Sequence, residues 1–242
     1  MAIFIAHRHQ CSFEVDPSRL QSPDGQLHPA LVNAIYLHAC CFSQSPWFAD
    51  LETYFLVETL SAISAALERS DRLIDVASAL SLLAVYQYAH CRISEGYRHS
   101  FAAARLAINL GLHQISSPES SPHDVLSAVI PPARDGKELR DRIDVFWQVL
   151  IVDRSWSVAS GLPTALPGDQ TSETLKIETP LPQSTTPSVN SFSSFMISLW
   201  TDWNLTRYPL YQLYVLKLLR FTNARIVYPY VCMQSTWRFT QT

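Results

Sequence analysis

The sequence has few glycines, and none of them falls in a pattern that would cradle a phosphate group. Six glycines are spread over 242 residues, with no P-loop and no G-x-G-x-x-G segment. Phosphate-binding loops need glycine because its missing side chain lets the backbone approach the ligand closely. The motifs G-x-S-x-G and H-E-x-x-H are also missing. We therefore predict no nucleotide site, no catalytic residues and no enzymatic activity.

Charge is scarce as well. Charged residues make up 16% of the chain and sum to a formal net charge of −3. Most non-specific affinity for DNA comes from basic side chains that neutralise phosphates, so this chain alone is a poor DNA binder. No run of about 18 uncharged apolar residues occurs, so we expect no membrane-spanning helix and no membrane partner. Because 48% of the residues are hydrophobic, we expect a large buried core.

The cysteines do not form a metal-binding or disulfide framework. There are five of them, an odd number at irregular spacings and without a C-x-x-C pair: Cys11, Cys40, Cys41, Cys91 and Cys232. This usage predicts reduced thiols in a cytosolic or nuclear protein. His7, His9 and Cys11 alternate and would share one face of a strand, which is the arrangement that a metal site in a strand requires. No fourth ligand lies near them, so we predict no metal site in this chain.

The stretch from Lys137 to Pro167 organises the chain. Its apolar residues follow the spacing of one helix face: Leu139, Ile143, Phe146, Trp147, Leu150 and Ile151. Three valines make the opposite face apolar too: Val145, Val149 and Val152. We therefore expect a helix that is buried nearly all round. Gly161 suits the position just past the helix end, where the backbone is commonly left-handed, and Pro163 prevents the helix from resuming.

Asp153 and Arg154 lie within this apolar helix and are the candidate site residues. A buried charge is costly unless it is paired, so each should have a partner in the fold. In one interpretation, the residues are part of a buried ion pair in which a carboxylate from another helix holds the Arg154 guanidinium, and they bind nothing. In the other, the Arg154 guanidinium holds a carboxylate or phosphate of an effector.

The rest of the sequence predicts helices that are joined by turns and two long loops. Helical spacing predicts four earlier helices, over about 28–42, 45–69, 71–91 and 94–111, and two later ones, over about 192–199 and 211–220. Residues 114–136 and 163–190 are rich in serine and proline and predict surface loops. We therefore predict an all-α fold, a multi-helix bundle of antiparallel helical hairpins with long Ser/Pro-rich loops.

Three stretches in order resemble a known family. The first is His28 to Ala34, the second is Ala104 to His113, and the third is the organising helix with its Asp-Arg, Gly-Leu-Pro and Leu166-Pro167. Together they resemble the fungal-specific transcription factor domain, the middle regulatory region of fungal zinc-cluster transcription factors. The likeness covers roughly residues 28 to 182 and fades after about Asn190.

This resemblance implies a regulatory domain that controls DNA-templated transcription in the nucleus and does no chemistry. The family's six-cysteine zinc cluster is absent, so zinc and DNA are expected only through a missing N-terminal module. Expected partners are coregulator proteins, a small-molecule effector or a second copy in a homodimer. We predict an entry segment at 1–27, the regulatory domain at 28–182 and a helical continuation at 183–242, for which truncation or misprediction of the sequence stays an alternative. A helical-hairpin adaptor or scaffold without a DNA-binding role stays the alternative.

Overall fold

The computed structural model describes residues 1–13, 27–43, 45–115, 130–131, 133–166 and 177–182. The described residues form six α-helices and no strand, which confirms the all-α prediction. Most of the two Ser/Pro-rich loops and the two predicted later helices lie outside the described residues. The helices are α1 (Ala2–His7), α2 (Pro29–Ser43), α3 (Ala49–Arg69), α4 (Leu73–Ala89), α5 (Ile93–Asn109) and α6 (Gly136–Ser160). Three short 3-10 turns accompany them: Arg8–Cys11, Pro46–Phe48 and Leu112–Gln114.

Helices that follow one another along the chain pack on each other. The most extensive contacts are between α4 and α5 and between α2 and α3. The connection within each pair is short, so the two helices lie side by side. Helix α4 also contacts α2, α3 and α6, so it lies at the centre of the bundle. Its residues from Asp75 to Tyr88 are all buried, including two serines and a glutamine.

A buried polar pair joins α4 to α6. The Ser78 hydroxyl donates a hydrogen bond of 2.8 Å to Oε1 of Gln148, and both side chains are almost inaccessible to solvent. Gln148 lies between Val145 and Val152 on α6, which are also buried. The predicted burial of this helix on both sides is confirmed, because Phe146 and Leu150 are buried as well.

Helix α6 is capped at both ends, and its end at Gly161 confirms the sequence prediction. The Asp135 carboxylate accepts a hydrogen bond of 2.7 Å from the backbone N–H of Glu138, which satisfies one of the free donors at the start of a helix. Gly161 follows the last turn with a φ of 72° and donates its N–H to the carbonyl of Ser157. A left-handed backbone carries little strain at glycine, so the chain can leave the helix sharply here.

The first residues of the chain are part of the core. The shared strand face considered for His7, His9 and Cys11 does not occur, because residues 2–11 are helical. Phe4 and Phe13 are fully buried, with ring centroids 5.1 Å apart in an edge-to-face arrangement. Helix α1 packs on α2, which places these rings near His38. The domain boundaries proposed at residues 27 and 182 stay predictions.

Candidate functional site

The Asp153 carboxylate holds the loop that follows α6. Its Oδ1 accepts a hydrogen bond of 2.9 Å from the N–H of Ala165, and its Oδ2 accepts one of 3.0 Å from the N–H of Leu166. Ala165 and Leu166 are buried, and Leu166 is part of the hydrophobic core. Because Gly161 turns the chain back, the loop passes beside the helix turn that carries Asp153. Asp153 therefore acts as a clamp between α6 and the Gly-Leu-Pro loop.

Burial and hydrogen bonding act on Asp153 in opposite directions. Desolvation raises the pKa of the carboxyl above its usual range, while the two backbone hydrogen bonds and the charge of Arg154 lower it. The net pKa is raised, so the cost of desolvating the charge exceeds what its partners return. Arg154 is only partly buried. Desolvation lowers the pKa of its guanidinium, and the Asp153 carboxylate counteracts that effect.

A short segment within the second loop packs against the 3-10 turn that follows α5. The N–H groups of Glu178 and Thr179 donate to the carbonyl of His113, at 2.8 and 3.3 Å. The Thr179 hydroxyl donates to the Leu112 carbonyl and accepts a bond of 3.1 Å from the N–H of Ile115. We call residues 177–182 the strap.

The strap also reaches α6. The indole N–H of Trp147 donates a hydrogen bond of 2.7 Å to the carbonyl of Pro180. Burial lowers the pKa of His113 beneath the strap, although the Glu178 carboxylate opposes this shift. The strap thereby ties the end of α5 to the middle of the organising helix.

A second polar cluster lies where α2, α3 and α4 meet. The Tyr86 hydroxyl donates a hydrogen bond of 2.7 Å to Oε1 of Glu52, and Nε2 of His90 lies 3.2 Å from the same oxygen. His38 is fully buried, with Nε2 at 2.8 Å from the Leu82 carbonyl and Nδ1 at 3.2 Å from Sγ of Cys11. These contacts join three helices through polar groups in an otherwise apolar environment.

The thiols near this cluster have raised pKa values, so they are held in the protonated form. Burial raises the pKa of Cys11 well above its usual value, and burial with the charge of Glu52 raises that of Cys41 to about 11. Burial and Glu52 also raise the pKa of Cys40. Within the described ranges, no group of three or more His, Cys, Asp or Glu residues is arranged to hold a metal ion.

These contacts show a helical domain in which buried polar groups connect neighbouring helices and loops. The described helices include none with the length and hydropathy needed to cross a membrane. The model of the fungal specific transcription factor domain matches residues 4–220. This chain belongs to that family, as the three motifs predicted.

The family match also sets the broad role of the chain. It is a family of transcription-factor regulatory domains and not of enzymes, which supports the expectation that the chain is not an enzyme. The same membership implies a role in the nucleus in general terms. The match extends further in both directions than the motif-bearing stretch from 28 to 182. No curated protein and no solved structure gives a significant match.

Sequence reasoning identified Asp153 but not what it binds. Its signal was a charge in an apolar helix shortly before Gly161, and its partners are backbone groups 12 and 13 residues further on. The pairing of Glu52 with Tyr86 and His90 was missed. The spacing of Tyr86 and His90, four residues apart on one helix, was the available signal.

Proposed function

We propose that this chain is the regulatory region of a fungal transcription factor. In this proposal it controls DNA-templated transcription in the nucleus through a DNA-binding module that lies outside these residues. The observation that carries the proposal is the family match over residues 4–220. The formal net charge of −3 supports it, because a chain that is acidic overall gains little non-specific affinity for phosphate.

Zinc, in this proposal, belongs to the separate six-cysteine module. The chain has five cysteines, at irregular spacings and without a C-x-x-C pair, so it does not contain the six-cysteine pattern of that module. The expected partners are coregulator proteins and, through the separate module, DNA. A small-molecule effector and a homodimer belong to the same proposal.

The contacts of Asp153 support the structural interpretation of the Asp153–Arg154 pair. Both carboxylate oxygens already accept backbone hydrogen bonds, so Asp153 has a role that needs no ligand. An effector would therefore meet the partly buried guanidinium of Arg154 rather than the carboxylate. An acidic effector is the chemistry that this guanidinium would recognise.

A fusion experiment tests the proposal. The full chain is joined to a heterologous DNA-binding module, and a reporter with sites for that module is measured in a fungal host. We expect reporter output to differ from that of the module alone. Asp153→Ala should abolish the difference because it releases the loop after α6, whereas Glu95→Gln at an exposed site should preserve it.

Protein levels of all fusions are measured in the same cells by immunoblotting. If the wild-type fusion accumulates and its output equals that of the module alone, the regulatory proposal fails. That result would favour the helical-hairpin adaptor, which packs in the same way but has no role at a promoter.

A further inference from the structure

Helix α3 carries a row of exposed hydrophobic side chains. Leu51, Tyr54, Val57 and Leu60 follow one another at intervals of three residues, and all are exposed. Trp47, just before the helix, has an exposed fraction of 89%. Of the ten large hydrophobic side chains exposed among the described residues, seven lie between Trp47 and Leu67. We call this row, from Trp47 to Leu67, the α3 ridge.

The other side of α3 accounts for its packing in the bundle. Thr59, Ile63 and Ala66 are buried against the core, and α3 contacts α2 and α4. Scattered exposed hydrophobics are ordinary on protein surfaces, but a contiguous row marks an interaction site. Side chains three residues apart form a ridge that fits the groove of a second helix. The shape of the surface therefore favours a helical occupant.

The charged side chains around the α3 ridge are mostly acidic. Helix α3 contains four carboxylates and one basic side chain: Asp50, Glu52, Glu58, Glu68 and Arg69. The Glu52 carboxylate already contacts Tyr86 and His90, whereas Asp50 and Glu68 are exposed. A matching occupant therefore has an apolar face and basic side chains.

The end of this chain has that composition. Residues 203–242 contain no Asp or Glu and five basic residues: Arg207, Lys217, Arg220, Arg225 and Arg238. Within them, residues 211–220 are apolar apart from Gln212, Lys217 and Arg220. The family match ends at residue 220, so this stretch belongs to the matched domain.

We propose that residues 211–220 dock as a helix on the α3 ridge of the same chain. The apolar side chains cover the row from Leu51 to Leu60, and Lys217 and Arg220 lie against the carboxylates of α3. The chain between Pro182 and Tyr211 would span about 90 Å when extended, so reach does not limit the contact. This inference does not depend on the proposed function.

Zero-length cross-linking of the full chain tests the contact. A carbodiimide joins a lysine amine to a carboxylate only when the two groups touch. The chain has three lysines, Lys137, Lys176 and Lys217, so a cross-link from Lys217 is unambiguous in mass spectra. We expect monomeric protein to show links from Lys217 to Glu58 or Glu68. Lys217→Arg keeps the charge but removes the reactive amine, and it should abolish these links.

Mixing ¹⁴N- and ¹⁵N-labelled protein separates the possible occupants. Links within one isotope only support the intramolecular contact. Mixed-isotope links in a dimer would overturn it in favour of a second copy on the ridge. Links from Lys217 only to carboxylates outside α3 would also overturn it. So would a complete absence of Lys217 links while Lys137 links are recovered.

A pair of substitutions gives an independent measurement on the full chain. Val57→Glu places a charge on the ridge, whereas Leu181→Glu places one at a similarly exposed site on the strap; the two side chains are 57% and 50% exposed. If the ridge is covered, Val57→Glu should lower the Tm by more than about 4 °C and Leu181→Glu by less than about 2 °C. Equal effects would overturn the proposal.

Discussion

Removing the carboxylate of Asp153 should release the loop that follows α6. In the structure this side chain accepts the N–H groups of Ala165 and Leu166 at 2.9 and 3.0 Å. Asp153→Ala leaves both buried donors without their acceptor. Asp153→Asn keeps one acceptor oxygen but turns an amide N–H₂ toward the other donor. We therefore expect both variants to be less stable, with the alanine variant affected more.

The size of the loss follows from the two orphaned donors. A buried N–H without a partner costs about 1–3 kcal/mol, so two cost about 2–6 kcal/mol. The substitution also removes a carboxylate whose desolvation is unfavourable, as its raised pKa shows. This gain offsets part of the loss. We expect a decrease of about 2–3 kcal/mol for Asp153→Ala and about 1–2 kcal/mol for Asp153→Asn.

Urea unfolding measures the total loss of stability, and hydrogen exchange shows which part of the chain has lost its protection. Circular dichroism and tryptophan fluorescence are suitable probes because Trp147 and Trp156 are both on α6. In the variants, the amides of Ala165 and Leu166 should exchange faster than those in α4. Glu95→Gln is the control, since an exposed carboxylate in a first helix turn contributes less than about 1 kcal/mol.

Two results would refute this reasoning. If Asp153→Ala unfolds at the same urea concentration as the parent, the carboxylate does not stabilise the loop. If stability falls but Ala165 and Leu166 keep their amide protection, the loss arises elsewhere and the clamp is not its cause.

Four further outcomes are expected. The chain alone should not bind duplex DNA, since its net charge is −3; sub-micromolar, salt-sensitive fluorescence anisotropy would contradict this. Arg154→Ala should cost less than the ~3–5 kcal/mol of a fully buried pair, because Arg154 is partly buried; melting curves identical to the parent would show no contribution. Gly96→Ala should destabilise by about 1–3 kcal/mol in thermal melts, since its Cβ would lie 2.7 Å from the ring of buried Tyr88; an unchanged Tm would mean the ring can move. Burial lowers the pKa of His38 to about 4 in the folded state, whereas the unfolded chain keeps the usual value near 6.5. The free energy of unfolding is therefore not reduced by His38 above about pH 6.5. About 3 kcal/mol should be lost as pH falls from 6.5 to 4, and urea titrations of His38→Gln should lack this component.

The helices were predictable because their periodicity is local. The predicted stretches 28–42 and 45–69 correspond to Pro29–Ser43 and to the turn and helix from Pro46 to Arg69. Gly161 was predicted as the left-handed residue that ends α6, and it has a φ of 72°. These features depend on side chains and turn residues within a few positions of each other.

The polar contacts were not predictable because they join distant parts of the chain. His38 meets Cys11, 27 residues earlier, and Thr179 meets Leu112, 67 residues earlier. Nothing in the local pattern around Thr179 indicates a buried hydroxyl. The burial of Phe4 was also missed, because a six-residue helix is too short to show a clear period.

The bond between Ser78 and Gln148 helps to fix which turn of α6 lies opposite which turn of α4. Val145 and Val152 flank Gln148 on the same face of α6, and both are buried. A slip of α6 by one turn, about 5.4 Å, would separate the Gln148 amide from the Ser78 hydroxyl and break the hydrogen bond of 2.8 Å between them. Two buried polar groups would then lose their partner, which is unfavourable. The pair thus favours the observed alignment of the two helices.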